Sequence, residues 1–159
     1  MGPAVIAESK LLPLVFRLFH GPACVSSVKR NRCRDRALSK VSSSVVAVAI
    51  GSNLGDRHAN LTAAVSALNR VLEELRVSDF VDTFPEGCVN QPVYLNAAAI
   101  GRSFESPLRL LQAFQDIEGA CGRTRPYRGA PRTLDVDLIL MGDTVMNAPR
   151  LRLPHPRFR

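Results

Sequence analysis

No stretch of this 159-residue sequence is apolar for long enough to span a bilayer as a helix. Cysteine is sparse. Cys24, Cys33, Cys88 and Cys121 are scattered, with no Cys-x-x-Cys pair and no metal-ligand spacing, so reduced structural thiols are expected. No Gly-Lys-Ser/Thr follows a glycine turn, which excludes a P-loop. Internal repeats and low-complexity tracts are absent. Lysine is missing from residue 45 onward, where thirteen arginines face twelve acidic residues. The formal net charge of +7 therefore sits mostly in residues 1–44, with eight Lys or Arg against two acids. A nearly neutral body with few aromatics is a poor platform for nucleic acid, and no nucleic-acid or membrane partner is expected. A nucleic-acid module on a β-sheet stays as an alternative class, which strong salt-dependent RNA binding would favour.

What is present divides at about residue 44. Residues 1–44 are basic, serine-bearing and poor in acids, and include the apolar Leu11 to Phe19 segment. That composition fits either an organellar transit peptide, taken as mitochondrial with plastid and cytoplasm as the other placements, or a disordered leader. Hydrophobic content of 46% and the length of the remainder allow one domain with a real core.

From Val45 the apolar run VVAVAI reads as a buried strand ending at Gly51. After the GSNLGD turn, Asp56 is placed to cap a helix whose apolar stripe is Leu61, Val65, Leu68, Leu72 and Leu75. Residues 76–84 have strand composition and stop at Pro85. Residues 86–92 form a loop, and 93–101 a second strand that pairs as a hairpin with the first. Ser106 and Pro107 start another helix, with Leu108, Leu111, Phe114 and Ile117 as its apolar face and Gly119 and Gly122 at its end. A fourth strand runs to Met141. The order strand, helix, strand, strand, helix, strand predicts an α+β, ferredoxin-like split βαβ sandwich with both helices on one face of an antiparallel sheet.

The stretch RGAPRTLDVDLIL, from Arg128 to Leu140, concentrates the chemistry. In a strand Asp135 and Asp137 point one way, about 7 Å apart, while Leu134, Val136 and Leu138 point the other. The pair is either a solvated polar face or a hard-oxygen site for Mg²⁺ completed by phosphates. Arg123, Arg125, Arg128 and Arg132 surround the preceding turn, and Arg150, Arg152, Arg157, Arg159 and His155 follow. Guanidinium groups bracketing a carboxylate pair suit a polyphosphate held from both sides. Arg152 and Arg159 read best as solvated surface residues. His155, between prolines, is a surface histidine or a phosphate donor. Tyr94 and Asn96 share a strand face, as a core aromatic with a polar edge residue or as a pair receiving a flat, amide-bearing heterocycle. Gln115 and Glu118 share a helix face.

The segments AIGSNLG (Ala49 to Gly55), NQPVYLNAA (Asn90 to Ala98) and GAPRTLDVDLILMG (Gly129 to Gly142) resemble the 6-hydroxymethyl-7,8-dihydropterin pyrophosphokinase family of folate biosynthesis. The resemblance implies transfer of pyrophosphate from ATP to the pterin hydroxymethyl group with release of AMP. It places two Mg²⁺ ions on Asp135 and Asp137, and the pterin at Thr83, Tyr94 and Asn96. Gln115, Glu118, Arg123, Arg132, Arg150 and His155 fall on the ATP side, with Arg123, Arg132, Asp135 and Asp137 as the catalytic set. In some eukaryotes the family is fused to dihydropteroate synthase, which implies association with that enzyme. Residues 45–159 are expected to form the pyrophosphokinase domain without the family's C-terminal strand and helix, and an inactive fragment that only pairs with a partner is the alternative. This sequence also differs at Gly129, where the family usually has an aromatic, with Tyr127 as a substitute through a shifted loop.

Overall fold

The computed structural model describes residues 42–85, 91–124, 126–127 and 129–158. The leader, the 86–90 loop, Arg125, Arg128 and Arg159 lie outside the described residues, as do Cys24, Cys33 and Cys88.

Strand β1 (Ser44–Ser52) is followed by helix α1 (Arg57–Leu68), β2 (Glu73–Val77), β3 (Val81–Thr83), β4 (Tyr94–Ser103), helix α2 (Pro107–Ala120) and β5 (Asp135–Met141). A small hairpin of β6 (Met146–Asn147) and β7 (Arg152–Leu153) ends the described chain. The main sheet runs β2-β4-β1-β5, with β3 also on β4, and all pairings are antiparallel. Strand β4 therefore lies between β1 and β2, the split crossover of a ferredoxin-like sandwich.

Period-two alternation divides the sheet into two faces. Val46, Val48, Ile50, Leu95, Ala97, Leu134, Val136 and Leu138 join Leu61 and Leu68 of α1 and Leu110 and Phe114 of α2 in one core. Both helices thus cover one face. On the other face Ala47, Ala49, Ala98 and Ile139 form a smaller cluster, and the chemistry-bearing residues of β4 and β5 share that side.

Helix α1 starts where expected: the Asp56 carboxylate accepts from the Ala59 N–H at 3.0 Å. It ends at Leu68, earlier than its leucine spacing predicts. Asn69 is the C-cap, and the chain turns through Val71 and Leu72, whose N–H groups donate to Leu68 C=O. Leu72 is still buried, but from the turn, and Leu75 lies in β2. The close seat of Leu72 explains Gly101, where an added Cβ would stand 2.9 Å from Leu72 Cβ. Glu74, with φ of 52°, lies in the β2 irregularity between Glu73 and Arg76.

Residues 76–84 are not one strand. They break at Ser78, whose N–H donates to Ala98 C=O while its hydroxyl accepts from the Ala98 N–H, so the side chain replaces a ladder partner. Helix α2 is rotated from its predicted face. Leu110, Phe114 and Glu118 are buried at four-residue spacing, Leu108 is exposed, and Leu111 and Ile117 flank the stripe. Ser106 occupies the N-cap by backbone position alone, without a side-chain cap bond. Gly119 lies inside the helix and only Gly122, with φ of 71°, terminates it.

Candidate active site

Strand pairing assembles the site floor. Asp135 stands opposite Gly51 of β1, and Gly51 stands opposite Asn96 of β4, so one row crosses three strands. Asp137, Ala49 and Ala98 form the next row. Small residues on β1 leave both carboxylates uncovered by neighbouring side chains of the sheet. The aspartates and the Thr83, Tyr94 and Asn96 set thus share the face away from the helices, as the alternation predicts.

Arg123 reaches this floor because of how α2 ends. With Gly122 in the left-handed region, its N–H donates to Gly119 C=O and the Arg123 N–H returns to Glu118 C=O. The Arg123 guanidinium then donates to Glu118 and, at 2.6 Å, to Asp135 Oδ1. Glu118 Oε1 also accepts from the Val136 N–H at 2.8 Å, filling the open edge of β5. A buried glutamate is tolerable here because its charge is paired and hydrogen-bonded.

Arg132 donates to the second Asp135 oxygen, Oδ2, at 2.5 Å. Burial alone would lower its pKa, but the Asp135 carboxylate, with Tyr94 and Asp137 nearby, holds it above the ordinary arginine value. The Asp137 pKa is raised as well, up to about 7, because burial and then the Asp135 and Glu118 carboxylates outweigh Arg123 and Arg132. The Nε groups of Arg123 and Arg132 are buried without a hydrogen-bond partner. Two arginines thus enter the site with donor capacity left over.

Thr83, Tyr94 and Asn96 are almost fully buried. Asn96 Nδ2 donates to Thr83 Oγ1 at 2.6 Å, whereas Asn96 Oδ1 has no partner. A buried, unpaired carbonyl costs free energy unless a ligand N–H answers it.

The remaining predicted residues line two clefts along the outer edge of β5. One, of about 360 Å³, is bounded by Gln115, Glu118, Gly119 and Arg123. The other, of about 370 Å³, includes Asp137, Arg150, Arg152 and His155, with Leu111 and Leu138 as apolar walls. Arg152 is exposed as expected, yet it belongs to this wall. A register shift in the β1–β5 pairing leaves the Ile139 C=O to accept from the His155 N–H at 2.7 Å, which fixes the histidine beside Asp137. Burial, then Arg157, lowers the His155 pKa, against a raising effect from Asp135, so the ring is neutral at pH 7. Its Nδ1 accepts from the Arg157 N–H at 3.4 Å, near the outer limit for a hydrogen bond. Cys121 is a free thiol that burial pushes up, which makes it inert rather than nucleophilic.

Residues 47–159 match the family 7,8-dihydro-6-hydroxymethylpterin-pyrophosphokinase (HPPK). The chain belongs to the HPPK family. Similar proteins include the 2-amino-4-hydroxy-6-hydroxymethyldihydropteridine pyrophosphokinases of Pseudomonas aeruginosa, 40% identical over 69% of this chain and 69% of that protein, and of Bacillus subtilis, 38% identical over 69% and 67%. A folic acid synthesis protein of Schizosaccharomyces pombe is 34% identical over 68% of this chain and 15% of its own length.

Within this HPPK domain two site residues escaped the sequence reading. Asn53 is buried, and its Oδ1 accepts from the Arg132 N–H at 2.8 Å. Gln91 Nε2 donates to Gly129 C=O at 2.7 Å, and its Oε1 accepts from the Tyr94 hydroxyl at 3.1 Å. Asn53 sits in GSNLGD, where turn chemistry already accounted for an asparagine. The available signal was an amide directly after the first strand, separated from its apolar run by two residues. Gly129, where an aromatic is usual in the family, has φ of 81°, a conformation that disfavours an aromatic side chain; Tyr127 is exposed.

Proposed function

We propose that this HPPK domain transfers pyrophosphate from ATP to 6-hydroxymethyl-7,8-dihydropterin, giving AMP and the pterin diphosphate in folate biosynthesis. One observation carries the reading. The unpaired Asn96 carbonyl and the arginine-bracketed Asp135 and Asp137 lie on one sheet face, within adjacent rows of the β-ladder. An acceptor reader and a phosphate site thus share a floor.

In this reading Asn96 Oδ1 accepts from the pterin amide edge, Thr83 orients Asn96, and Tyr94 walls the pocket. Arg123 and Arg132 direct their spare donors at the phosphates and hold charge that develops during transfer. Gln115 and Glu118 border one of the two clefts assigned to the nucleotide, and Arg150 and His155 border the other. His155, whose pKa burial and then Arg157 lower, is read as a neutral donor to the phosphates.

The donor set fits two Mg²⁺ ions. Asp135 and Asp137 offer hard oxygens, and Asp137, raised first by burial and then by the Asp135 and Glu118 carboxylates, stands where a dication would favour the ionised form. Among the described residues no cluster of three or more His, Cys, Asp or Glu forms a ligand set, so phosphates and water must complete the shell. Bound there, the metal supplies Lewis-acid neutralisation of the phosphates. Among the described residues no helix is long and apolar enough to cross a membrane. Association with dihydropteroate synthase is proposed from the family resemblance alone; the fungal relative, of whose length the match covers 15%, is named only for folic acid synthesis. On composition, residues 1–44 fit an organellar transit peptide, which we take as mitochondrial with plastid as the other placement.

Mass spectrometry of the acceptor after incubation with Mg·ATP tests the function. A mass gain of two phosphoryl units on the pterin is expected; a gain of one, or none, overturns it.

A further inference from the structure

We propose that Asn53 is a positioning residue that aims Arg132 at the transferring phosphates, a role that rests on the phosphate-binding reading of Arg132 given above. Asn53 touches no carboxylate of the site. It stands immediately after β1, 2% exposed, where an apolar side chain would fill space equally well. Its polarity is used on the Arg132 peptide. The Asn53 N–H donates to Arg132 C=O at 3.1 Å, and Asn53 Oδ1 accepts from the Arg132 N–H at 2.8 Å. The peptide groups on both sides of Arg132 are thereby held by one residue 79 positions away.

The guanidinium itself is incompletely held. One amino group pairs with Asp135, while Nε is buried with no partner. An unsatisfied donor relaxes toward any acceptor within reach unless its backbone is fixed. The clamp from Asn53 supplies that fixation before substrate arrives. A second tether acts on the same loop, because Gln91 Nε2 donates to Gly129 C=O. Asn53 Nδ2 approaches Gln91 Oε1 and Pro92 C=O at 3.4 and 3.5 Å, near the outer limit for hydrogen bonds, so these links are secondary. Gln91 Oε1 also receives the Tyr94 hydroxyl, so the acceptor pocket and the Arg132 loop meet at one amide.

Preorganisation of this kind shows in turnover rather than in substrate affinity, since misplacement of about 1 Å at a charge-stabilising group costs up to about a hundredfold. The test is a double-mutant cycle with Asn53→Ala, Arg132→Ala and the double variant, measured as kcat, as KM for each substrate, and as the dissociation constant of a non-hydrolysable Mg·ATP analogue. Asn53→Ala is expected to lower kcat by about tenfold to a hundredfold, with either KM changed less than about threefold. In the Arg132→Ala background the same change is expected to cost less than about threefold, because the group it positions is gone. Losses that multiply, or a loss confined to KM, overturn the proposal. Should Asn53→Ala not fold, Asn53→Leu, which fills the space but removes the Oδ1 acceptor, enters the same cycle under the same criteria. A wild-type chain without turnover refutes the functional reading itself. The positioning role is then read from amide hydrogen exchange at Arg132, where faster exchange in the Asn53 variant supports the clamp and unchanged exchange refutes it.

Discussion

At the scale of single residues, the site is a balance of buried charge. Each oxygen of Asp135 accepts from one arginine, whereas Asp137, buried beside the Asp135 and Glu118 carboxylates, holds its proton up to about pH 7 instead of the ordinary 3.8. Between those values the folded chain keeps a proton that the unfolded chain has released. By linkage, the contribution of Asp137 to stability is then largest at low pH and declines as pH rises from about 4 to about 7. Thermal unfolding in metal-free buffer is expected to show Asp137→Asn gaining on the wild type across this window. Parallel curves would contradict the assignment. The Asn96 carbonyl gives a second prediction: Asn96→Ala is expected to weaken pterin binding by about tenfold to a hundredfold while Mg·ATP binding is unchanged, as read by calorimetry. Equal losses for both ligands would remove Asn96 from the acceptor pocket. The aspartates and Asn96 were legible in the sequence because a strand fixes side-chain direction by parity alone. Asn53 was not, because an asparagine in a glycine turn has a sufficient local reason to be there.

At the scale of elements, the end of α2 does as much as the strand. The left-handed Gly122 folds Arg123 back onto Glu118 and Asp135. A Cβ at Gly122 would meet nothing within 4 Å, so Gly122→Ala tests conformation without a steric clash. Chemical denaturation is expected to show a loss of about 1–2 kcal/mol, the cost of a left-handed residue with a side chain. No loss would mean that the turn does not require glycine. The two helices were predicted in the right places, but their faces were less legible. In α1, Leu72 and Leu75 continue the helical period after the helix has stopped, so periodicity alone overruns its end. In α2, Glu118 occupies a buried position because Arg123 and the edge of β5 satisfy it. A sequence reading treats such a glutamate as solvent-facing, since its partners lie in other elements.

At the scale of the whole molecule, one layer of helices and one sheet divide the labour. The helix side supplies the core, and the opposite side carries the reactive groups on a floor of alanine and glycine. Phe114 is buried in the middle of that core, and Phe114→Ala is expected to cost about 3–5 kcal/mol in a single cooperative transition. A loss below about 1 kcal/mol would show that α2 is not integral to the domain. The strand order followed from the sequence of elements, because the split crossover is the usual solution for this order. The central claim is that one sheet face brings the pterin hydroxyl to the β-phosphorus of ATP. Nucleotide product analysis tests it most directly. AMP is expected in equal amount to the pterin diphosphate and only when the pterin is present; ADP as the product, or AMP formed without pterin, would overturn pyrophosphate transfer on this face.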